Sequence, residues 1–294
     1  IPVAGTDTLK YSVEASSLAG GPNDILAIVE DNSSRLDTVV FTIFKTPANN
    51  VAEMPANYKY GINYIDDNTI GLVLYAPGKD FAYAIGDFSS WQVALDYQMN
   101  KTPNDSIFWL TINGLDPNQN FAFQYLVDGK KRIADPYTEL ILDPWNDPFI
   151  SGTGLPPYPG GMTSGVTSII WNTKEDFEWS ATGYSRPNKS NLIIYEMWLS
   201  NFLEDHSYET LTDTLDYLQR LGINAIELQP VNEFEGNVSW GYNPSFYFAL
   251  DKYYGTPAQF KRFVDECHKR NIAVIIDMVL NHSYDLAPYV QLYT

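Results

Sequence analysis

The sequence predicts a multidomain β plus α/β protein, in which β-sheet units precede a unit of alternating strands and helices. Three observations predict it. Strand-like runs separated by turn residues occupy roughly the first 150 residues, a glycine- and proline-rich stretch covers residues 152–161, and strand-like runs alternate with helical patterns from Asn191 onward. The length of 294 residues allows two or three domains, and 45% hydrophobic residues exclude a disordered chain.

Composition also limits the partners. The chain has 18 Lys and Arg against 36 Asp and Glu, a net charge of -18, which disfavours nucleic acids and anionic membrane surfaces. A neutral ligand or a cation such as calcium stays compatible with this charge. Cys267 is the single cysteine, so an intrachain disulfide is excluded. Because no apolar run approaches the roughly 18–20 residues of a membrane helix, we expect no transmembrane segment.

The start of the chain bears on its location. The sequence begins with Ile1 rather than Met and shows no basic-then-apolar leader. We therefore expect a mature or trimmed polypeptide whose targeting segment has been removed, and an extracytoplasmic location: secreted, periplasmic or on the cell surface.

Two β units are expected before the glycine- and proline-rich stretch. Residues 1–52 form a small β unit or its remnant, with strands near 25–29 and 38–44. Residues 56–150 form a larger β-sandwich, since turn signals separate its strand-like runs at the spacing of antiparallel sheets. These runs cover residues 69–75, 81–85, 108–112 and 121–127.

Residues 151–190 are predicted to be a linker, with irregular chain or short strands lying against the next domain. In residues 191–294, buried-strand runs at 192–196, 224–228 and 272–278 alternate with two helices. Gly222 is expected to cap the first helix, and Thr256-Pro257-Ala258-Gln259 is a capping box that starts the second. Consecutive βαβ units predict an α/β barrel or a doubly wound sheet, with functional residues at the carboxyl ends of the strands.

Two motifs lie at that predicted edge. Residues 239–244 read Ser-Trp-Gly-Tyr-Asn-Pro within a long insertion at 231–255, and residues 277–282 read Asp-Met-Val-Leu-Asn-His directly after the third strand. Each allows a purely structural interpretation: Asp277 caps a neighbouring loop, His282 is an ordinary surface histidine, and Tyr242 packs the loop. The two motifs together, on successive strand ends and in this order, favour a functional site.

Together they resemble glycoside hydrolase family 13, the α-amylase family, whose first conserved region reads Asp-x-Val-x-Asn-His. Asp277, Val279, Asn281 and His282 match it, and residues 240–244 resemble the second loop of its pullulanase, isoamylase and branching-enzyme relatives. The resemblance implies that residues 191–294 are the first three strands of a TIM (β/α)8 barrel, incomplete in this chain. One departure is Trp198-Leu199-Ser200-Asn201-Phe202, where the family often has His-Val-Arg-Asp-Phe.

The same resemblance implies roles for individual residues. Tyr242 is the ring on which a glucose stacks, His282 donates a hydrogen bond to a hydroxyl of that sugar, and Trp240 belongs to the same substrate-binding loop. Asn281 matches a calcium-ligand position, so calcium is possible although no cofactor is required. Asp277 is a supporting carboxylate that orients its neighbours.

The second β unit resembles an Ig-like (E-set) carbohydrate-binding module of family 48, through residues 85–91, 123–129 and Asp135-Pro136. The resemblance makes Trp91 a glucan-stacking ring. However, Gln124 replaces the matching lysine, and the second stacking tryptophan is missing near Lys131. Two roles therefore stay open for this unit, a glucan-binding surface or packing support for the barrel.

A retaining glycosidase needs two carboxyl groups roughly 5–5.5 Å apart. The residues alone nominate Glu227 and Asp277, but the resemblance places the catalytic carboxylates after strands four, five and seven. A complete barrel takes about 250 residues, and roughly 100 follow Asn191, so we expect a truncated chain without catalytic carboxylates that is inactive alone.

The resemblance therefore implies the N-terminal part of a retaining glycoside hydrolase that acts on α-glucans. The expected partners are starch, glycogen, pullulan or maltooligosaccharides. Two alternatives remain, a non-catalytic glucan-binding protein on the same scaffold and a glucan branching transferase.

Overall fold

The structure, a computed structural model, describes residues 11–152 and 154–294, so residues 1–10 of the predicted unit 1–52 lie outside the described part. The described chain begins with an antiparallel ribbon of β1 (Gly21–Glu30) and β2 (Leu36–Lys45). The Asp31 side chain forms the turn by accepting hydrogen bonds from the backbone N–H groups of Ser33 and Arg35. The two strands predicted in this unit are therefore confirmed.

Two antiparallel sheets follow. One has the order β3-β4-β7-β6, and the other has the order β10-β11-β8-β5 with β9 paired to β8. Their inward side chains share one hydrophobic core, which includes Leu72, Phe108 and Phe123. The strands are β3 (Gly61–Asp66), β4 (Thr69–Tyr75), β5 (Ala82–Gly86), β6 (Asn100–Lys101), β7 (Ile107–Ile112), β8 (Phe121–Val127), β9 (Lys131–Ile133), β10 (Ile141–Leu142) and β11 (Thr167–Ile170).

Part of the predicted linker differs from expectation. β11 lies in the preceding sheet rather than against the next domain, because its four side chains are buried and it pairs with both β8 and β10. Further along, the segment does contact the α/β region: the Asp265 carboxylate accepts hydrogen bonds from the backbone N–H groups of Ser180 and Ala181 at 2.9 and 2.8 Å.

The remaining elements alternate between strands and helices. They are β12 (Ile194–Met197), α1 (Leu199–Phe202), α2 (Tyr208–Asp213), α3 (Leu215–Leu221), β13 (Ala225–Leu228), β14 (Asn232–Phe234), β15 (Pro244–Leu250), α4 (Pro257–Lys269), β16 (Ala273–Ile276) and α5 (Pro288–Tyr293). None of the helices in residues 11–152 and 154–294 combines the length and apolar character needed to span a bilayer.

β12, β13 and β16 form a parallel sheet in that order, with Glu196 opposite Glu227 and Glu227 opposite Ile275. The strands in the described part of the chain do not close into a barrel. The predicted coverage of β16 on both faces is only partly met, because Ile276 is 40% exposed. Helices α2, α3 and α4 cover one face and form a second core with it.

Helix boundaries follow the predicted signals. Thr256 and Gln259 form the capping box of α4, with Pro257 at the first helical position. Gly222 ends α3 at φ 89, in the left-handed conformation that glycine adopts without strain. The single predicted first helix is divided into α2 and α3, because the Thr214 hydroxyl donates to the Leu211 carbonyl oxygen at the junction.

The insertion after β13 is a hairpin of β14 and β15. Lys252, just beyond β15, is buried and places its Nζ 2.7 Å from Glu233 Oε1 on β14 and 3.2 Å from Asp147 Oδ1 in the N-terminal region. Burial raises the pKa of Glu233 to about 7 and also raises the pKa values of Asp147 and Asp251, while the surrounding carboxylates hold the pKa of Lys252 above its usual value. These groups form a buried ion cluster that joins the hairpin to the region of the two antiparallel sheets, β3 to β11, called the two-sheet region below.

Because of this cluster, we expect the free energy of unfolding to fall as pH rises from about 4.5 to about 7. Glu233 binds its proton more tightly in the folded state, with its pKa raised from 4.5 to about 7, so the folded state holds more protons across this window. Thermal melts at pH 5 and pH 8 should show a Tm lower by roughly a few degrees at pH 8, and Glu233→Gln should reduce that difference. An unchanged pH dependence in Glu233→Gln would show that this carboxyl group does not titrate there.

Candidate functional site

The site lies where the parallel strands end. The backbone N–H of Asp277 donates to the Leu228 carbonyl oxygen at 2.9 Å. Asp277 therefore continues the hydrogen bonding between β16 and β13 by one residue past the end of β16. The backbone N–H of Gln229 donates in the same way to the Met197 carbonyl oxygen at 3.0 Å. Both motifs predicted to be functional meet at this edge, because the hairpin returns to it from the end of β13.

Tyr242 is in direct contact with both Asp277 and His282. The Tyr242 hydroxyl donates to Asp277 Oδ2 at 2.7 Å, and His282 Nε2 lies 2.8 Å from the backbone oxygen of Tyr242. A carbonyl oxygen only accepts, so His282 Nε2 carries a proton, and in the neutral ring Nδ1 is then an acceptor. The Tyr242 side chain is 41% exposed, which leaves aromatic surface open beside the imidazole.

The surrounding charge keeps the Tyr242 hydroxyl protonated. Its hydrogen bond to Asp277 is the largest cause that raises its pKa to about 12, with smaller contributions from Glu196 and Glu227. Glu196 and Glu227 face each other across β12 and β13. Tyr242 is therefore a hydrogen-bond donor at neutral pH, and Asp277 is occupied as its acceptor.

Gly241 allows the loop to approach the end of β13. It has φ +83, and a Cβ at this position would lie 2.3 Å from the Pro230 carbonyl oxygen. Its backbone N–H donates to Ser239 Oγ at 3.0 Å. The position thus requires glycine for two reasons, its left-handed conformation and the lack of space.

Two indole rings form the neighbouring wall. Trp198 Nε1 donates to the Ser239 carbonyl oxygen at 2.9 Å, and its ring meets that of Trp240 edge to face at 5.8 Å. Trp240 is 62% exposed. The departure from the family pattern at Trp198 therefore fixes the loop that carries Trp240 and Tyr242.

Two positioning residues were missed by the sequence analysis. The Tyr247 hydroxyl on β15 donates to the backbone oxygen of His282 at 2.7 Å, and Glu235 Oε1 accepts from the backbone N–H of Leu286 at 2.6 Å. Both hold the loop after β16 against the hairpin. Their position in the insertion directly after the second strand is the sequence signal that points to them.

The other predicted residues lie differently. Asn281 is exposed next to His282, and residues 11–152 and 154–294 contain no group of three or more His, Cys, Asp or Glu side chains placed to hold a metal ion. Trp91 is only 3% exposed: its ring packs among residues including Leu142 and Ile169, and its Nε1 donates to Asp87 Oδ1 at 2.8 Å. The prediction that Trp91 stacks on a glucan does not agree with this burial, because stacking requires an open ring face.

The geometry of Gly241 gives a matched pair of variants. Gly241→Ala should lower stability by about 2 kcal/mol or more, since the new methyl group meets the Pro230 carbonyl oxygen as well as an unfavourable φ. Gly236 lies in the same hairpin with φ +87 and open space around its Cβ position, so Gly236→Ala should cost only about 1 kcal/mol. Urea unfolding of both variants measures the difference, and equal losses would contradict the close approach at Gly241.

Comparison with known proteins gives a family match for the region that carries these residues. Residues 203–292 match the family described as "Alpha amylase, catalytic domain". Over 226 residues the chain is 32% identical to the 1,4-alpha-glucan branching enzyme GlgB of Picrophilus torridus, covering 75% of this chain and 29% of that protein. Over 186 residues it is 28% identical to the malto-oligosyltrehalose trehalohydrolase of Saccharolobus solfataricus, covering 63% of this chain and 29% of that protein.

The fold is similar to that of the pullulanase from Bacillus acidopullulyticus, with a TM-score of 0.63 at 19% identity over 87% of this chain and 35% of that one. Of the branching enzyme and the trehalohydrolase, the chain spans less than a third of the length of each. Residues 203–292, which carry Tyr242, Asp277 and His282, match the catalytic domain of the α-amylase family, glycoside hydrolase family 13.

Proposed function

We propose that the protein acts on α-glucans of the starch and glycogen type by the retaining chemistry of the α-amylase family. In this proposal β12, β13 and β16 are the first three strands of a (β/α)8 barrel. The rim, by which we mean Tyr242, Asp277 and His282, holds one sugar of the glucan. The observation that carries the proposal is the contact set of Tyr242, Asp277 and His282 at the carboxyl ends of these strands.

The geometry supports binding of a neutral sugar at this rim. The exposed Tyr242 ring offers an apolar surface to the C–H face of a hexose. Because His282 Nε2 donates to the Tyr242 backbone oxygen, the neutral imidazole would accept a hydrogen bond from a sugar hydroxyl at Nδ1, the reverse of the direction that the resemblance implies. Asp277 is engaged by the Tyr242 hydroxyl at 2.7 Å, which suits it to orient the ring rather than to attack the substrate. From the family resemblance we also propose that the nucleophile and the acid/base are residues outside these 294.

The relatives support the α-glucan class and leave the reaction open between two outcomes. One is named a 1,4-alpha-glucan branching enzyme and another a malto-oligosyltrehalose trehalohydrolase. A transferase is thus the second candidate, favoured by the 32% identity to the branching enzyme. The burial of Trp91 argues against a glucan surface at that residue of the two-sheet region, and the extracytoplasmic location stays part of the proposal.

Activity of the protein produced from its whole gene tests these roles. Tyr242→Ala should lower kcat/KM on starch by roughly 100-fold or more, because it removes both the ring and the Asp277 contact. Tyr242→Phe keeps the ring and loses only the hydroxyl, so its loss should be nearer 10-fold. Reducing ends and branch content distinguish hydrolysis from transfer.

Trp179→Ala is the matched control, since this exposed ring packs against α4 at His268 instead of the rim. It should leave kcat/KM unchanged. Normal turnover by Tyr242→Ala would show that the ring only packs the loop. Glucan binding by the unaltered protein without new reducing ends or branches would show that it is a non-catalytic binding protein.

A further inference from the structure

A second aromatic cavity lies between the two-sheet region and the hairpin. It has a volume of about 210 Å³, and the side chains that line it include Tyr60, Tyr64, Tyr137, Trp171 and Phe248. Tyr60 and Phe248 are 44% and 57% exposed. The cavity is thus open to solvent, and its walls come from β3, β15 and the loop that follows β9.

The rings form a row rather than a compact core. Centroids of Tyr75 and Tyr60 are 5.7 Å apart, those of Tyr60 and Tyr137 are 5.5 Å apart, and those of Tyr137 and Phe248 are 5.5 Å apart. The second pair is stacked at an interplanar angle of 24°. Because Tyr60, Tyr75 and Phe248 are each 40% or more exposed, the outer surface of the row stays open to a polymer that lies along it.

The row is held by specific buried groups. Gly61 has φ +87, and a Cβ there would lie 2.6 Å from Tyr137 Cβ, so glycine is required for Tyr137 to reach the row. Asp135 is fully buried, and its carboxylate accepts hydrogen bonds at 2.7 Å from both the Tyr137 backbone N–H and the Tyr125 hydroxyl. The conformation that presents Tyr137 is therefore built into the two-sheet region.

Polar side chains border the rings. Lys59, Asn63 and Glu139 also line the cavity. Glu139 forms an ion pair with Lys174, whose Nζ lies 5.8 Å from the centre of the Trp171 ring. Apolar rings with a few polar groups at their border suit a ligand that has both C–H faces and hydroxyl groups.

We propose that this aromatic cleft is a second binding site for a neutral α-glucan segment, distinct from the rim around Tyr242. The identity of the sugar rests on the proposed function. The net charge of -18 disfavours an anionic ligand, and the volume of about 210 Å³ is below the roughly 300–1,000 Å³ of drug-sized pockets, which suits one sugar ring of a chain continuing along the row.

The two sites are near enough to act on one chain. Phe248 follows Tyr242 by six residues, so the extended backbone places the two residues at most roughly 20 Å apart. A glucan long enough to reach both sites gains from the high effective concentration of its second segment. Longer maltooligosaccharides should therefore bind more tightly than short ones.

Calorimetric titration of this chain with maltotriose and maltoheptaose tests the proposal. The double variant Tyr60→Leu and Phe248→Leu removes two exposed rings of the row while keeping apolar side chains, and thermal unfolding verifies that it folds. We expect the double variant to bind maltoheptaose about 10-fold more weakly than the unaltered chain does. Its affinity for maltoheptaose should then be close to its affinity for maltotriose. Trp179→Ala, another exposed ring outside the cleft, should bind both sugars as the unaltered chain does.

The remaining outcomes separate the cleft from the rim. Tyr242→Ala should keep the binding of maltooligosaccharides at the cleft, which the double variant weakens, whatever the activity of the whole protein. Maltoheptaose binding by the folded double variant at unchanged affinity would overturn the cleft proposal and leave the rim proposal intact. Retained cleft binding in a protein that neither cleaves nor transfers glucans would remove the proposed function and support the cleft.

Discussion

The position of the hairpin depends on the buried ammonium group of Lys252. It is shared by Glu233 on β14 and Asp147 in the preceding region, at 2.7 and 3.2 Å. A buried charge is strongly unfavourable without such partners, so this cation fixes the hairpin against the two-sheet region. Phe246 and Ala249 on β15 reinforce the junction by packing with residues that include Val166. The hairpin is therefore a rigid connection between two parts of the molecule.

The same hairpin is held at its other end by the strands it follows. Gly241 allows the loop to reach the Pro230 carbonyl oxygen, and Tyr247 and Glu235 bind the backbone of the segment after β16. Tyr242 is thus oriented by contacts on both sides of the rim before any ligand arrives. Preorganisation of this kind reduces the entropy lost when a sugar binds, which is where an aromatic platform contributes to affinity.

Local patterns were sufficient to predict the meeting of the two motifs, nine of the sixteen strands that the structure describes, and the helical segments of α2–α4. The β14–β15 hairpin was predicted only as an insertion. The capping box at Thr256, the glycine at 222 and the strand-end positions of Tyr242 and Asp277 each follow from backbone chemistry or from the rule for parallel strands. The burial of Trp91 was not predictable, because it depends on Asp87 and on packing partners distant in sequence. β11 was missed for the same reason, and the unit boundaries stay predictions.

The contrast between Trp91 and Tyr60 has a physical basis. An aromatic residue in a sequence motif has two competing uses for its ring, burial in a core or exposure to a ligand, and composition does not distinguish them. Trp91 satisfies its indole N–H internally at 2.8 Å and lies in a core, whereas Tyr60 stays 44% exposed beside Tyr137, whose close approach depends on the absence of a side chain at Gly61. Since β15 contributes Phe248 to the cleft and begins just after Tyr242, the backbone of this one hairpin sets the distance between the two candidate sugar sites.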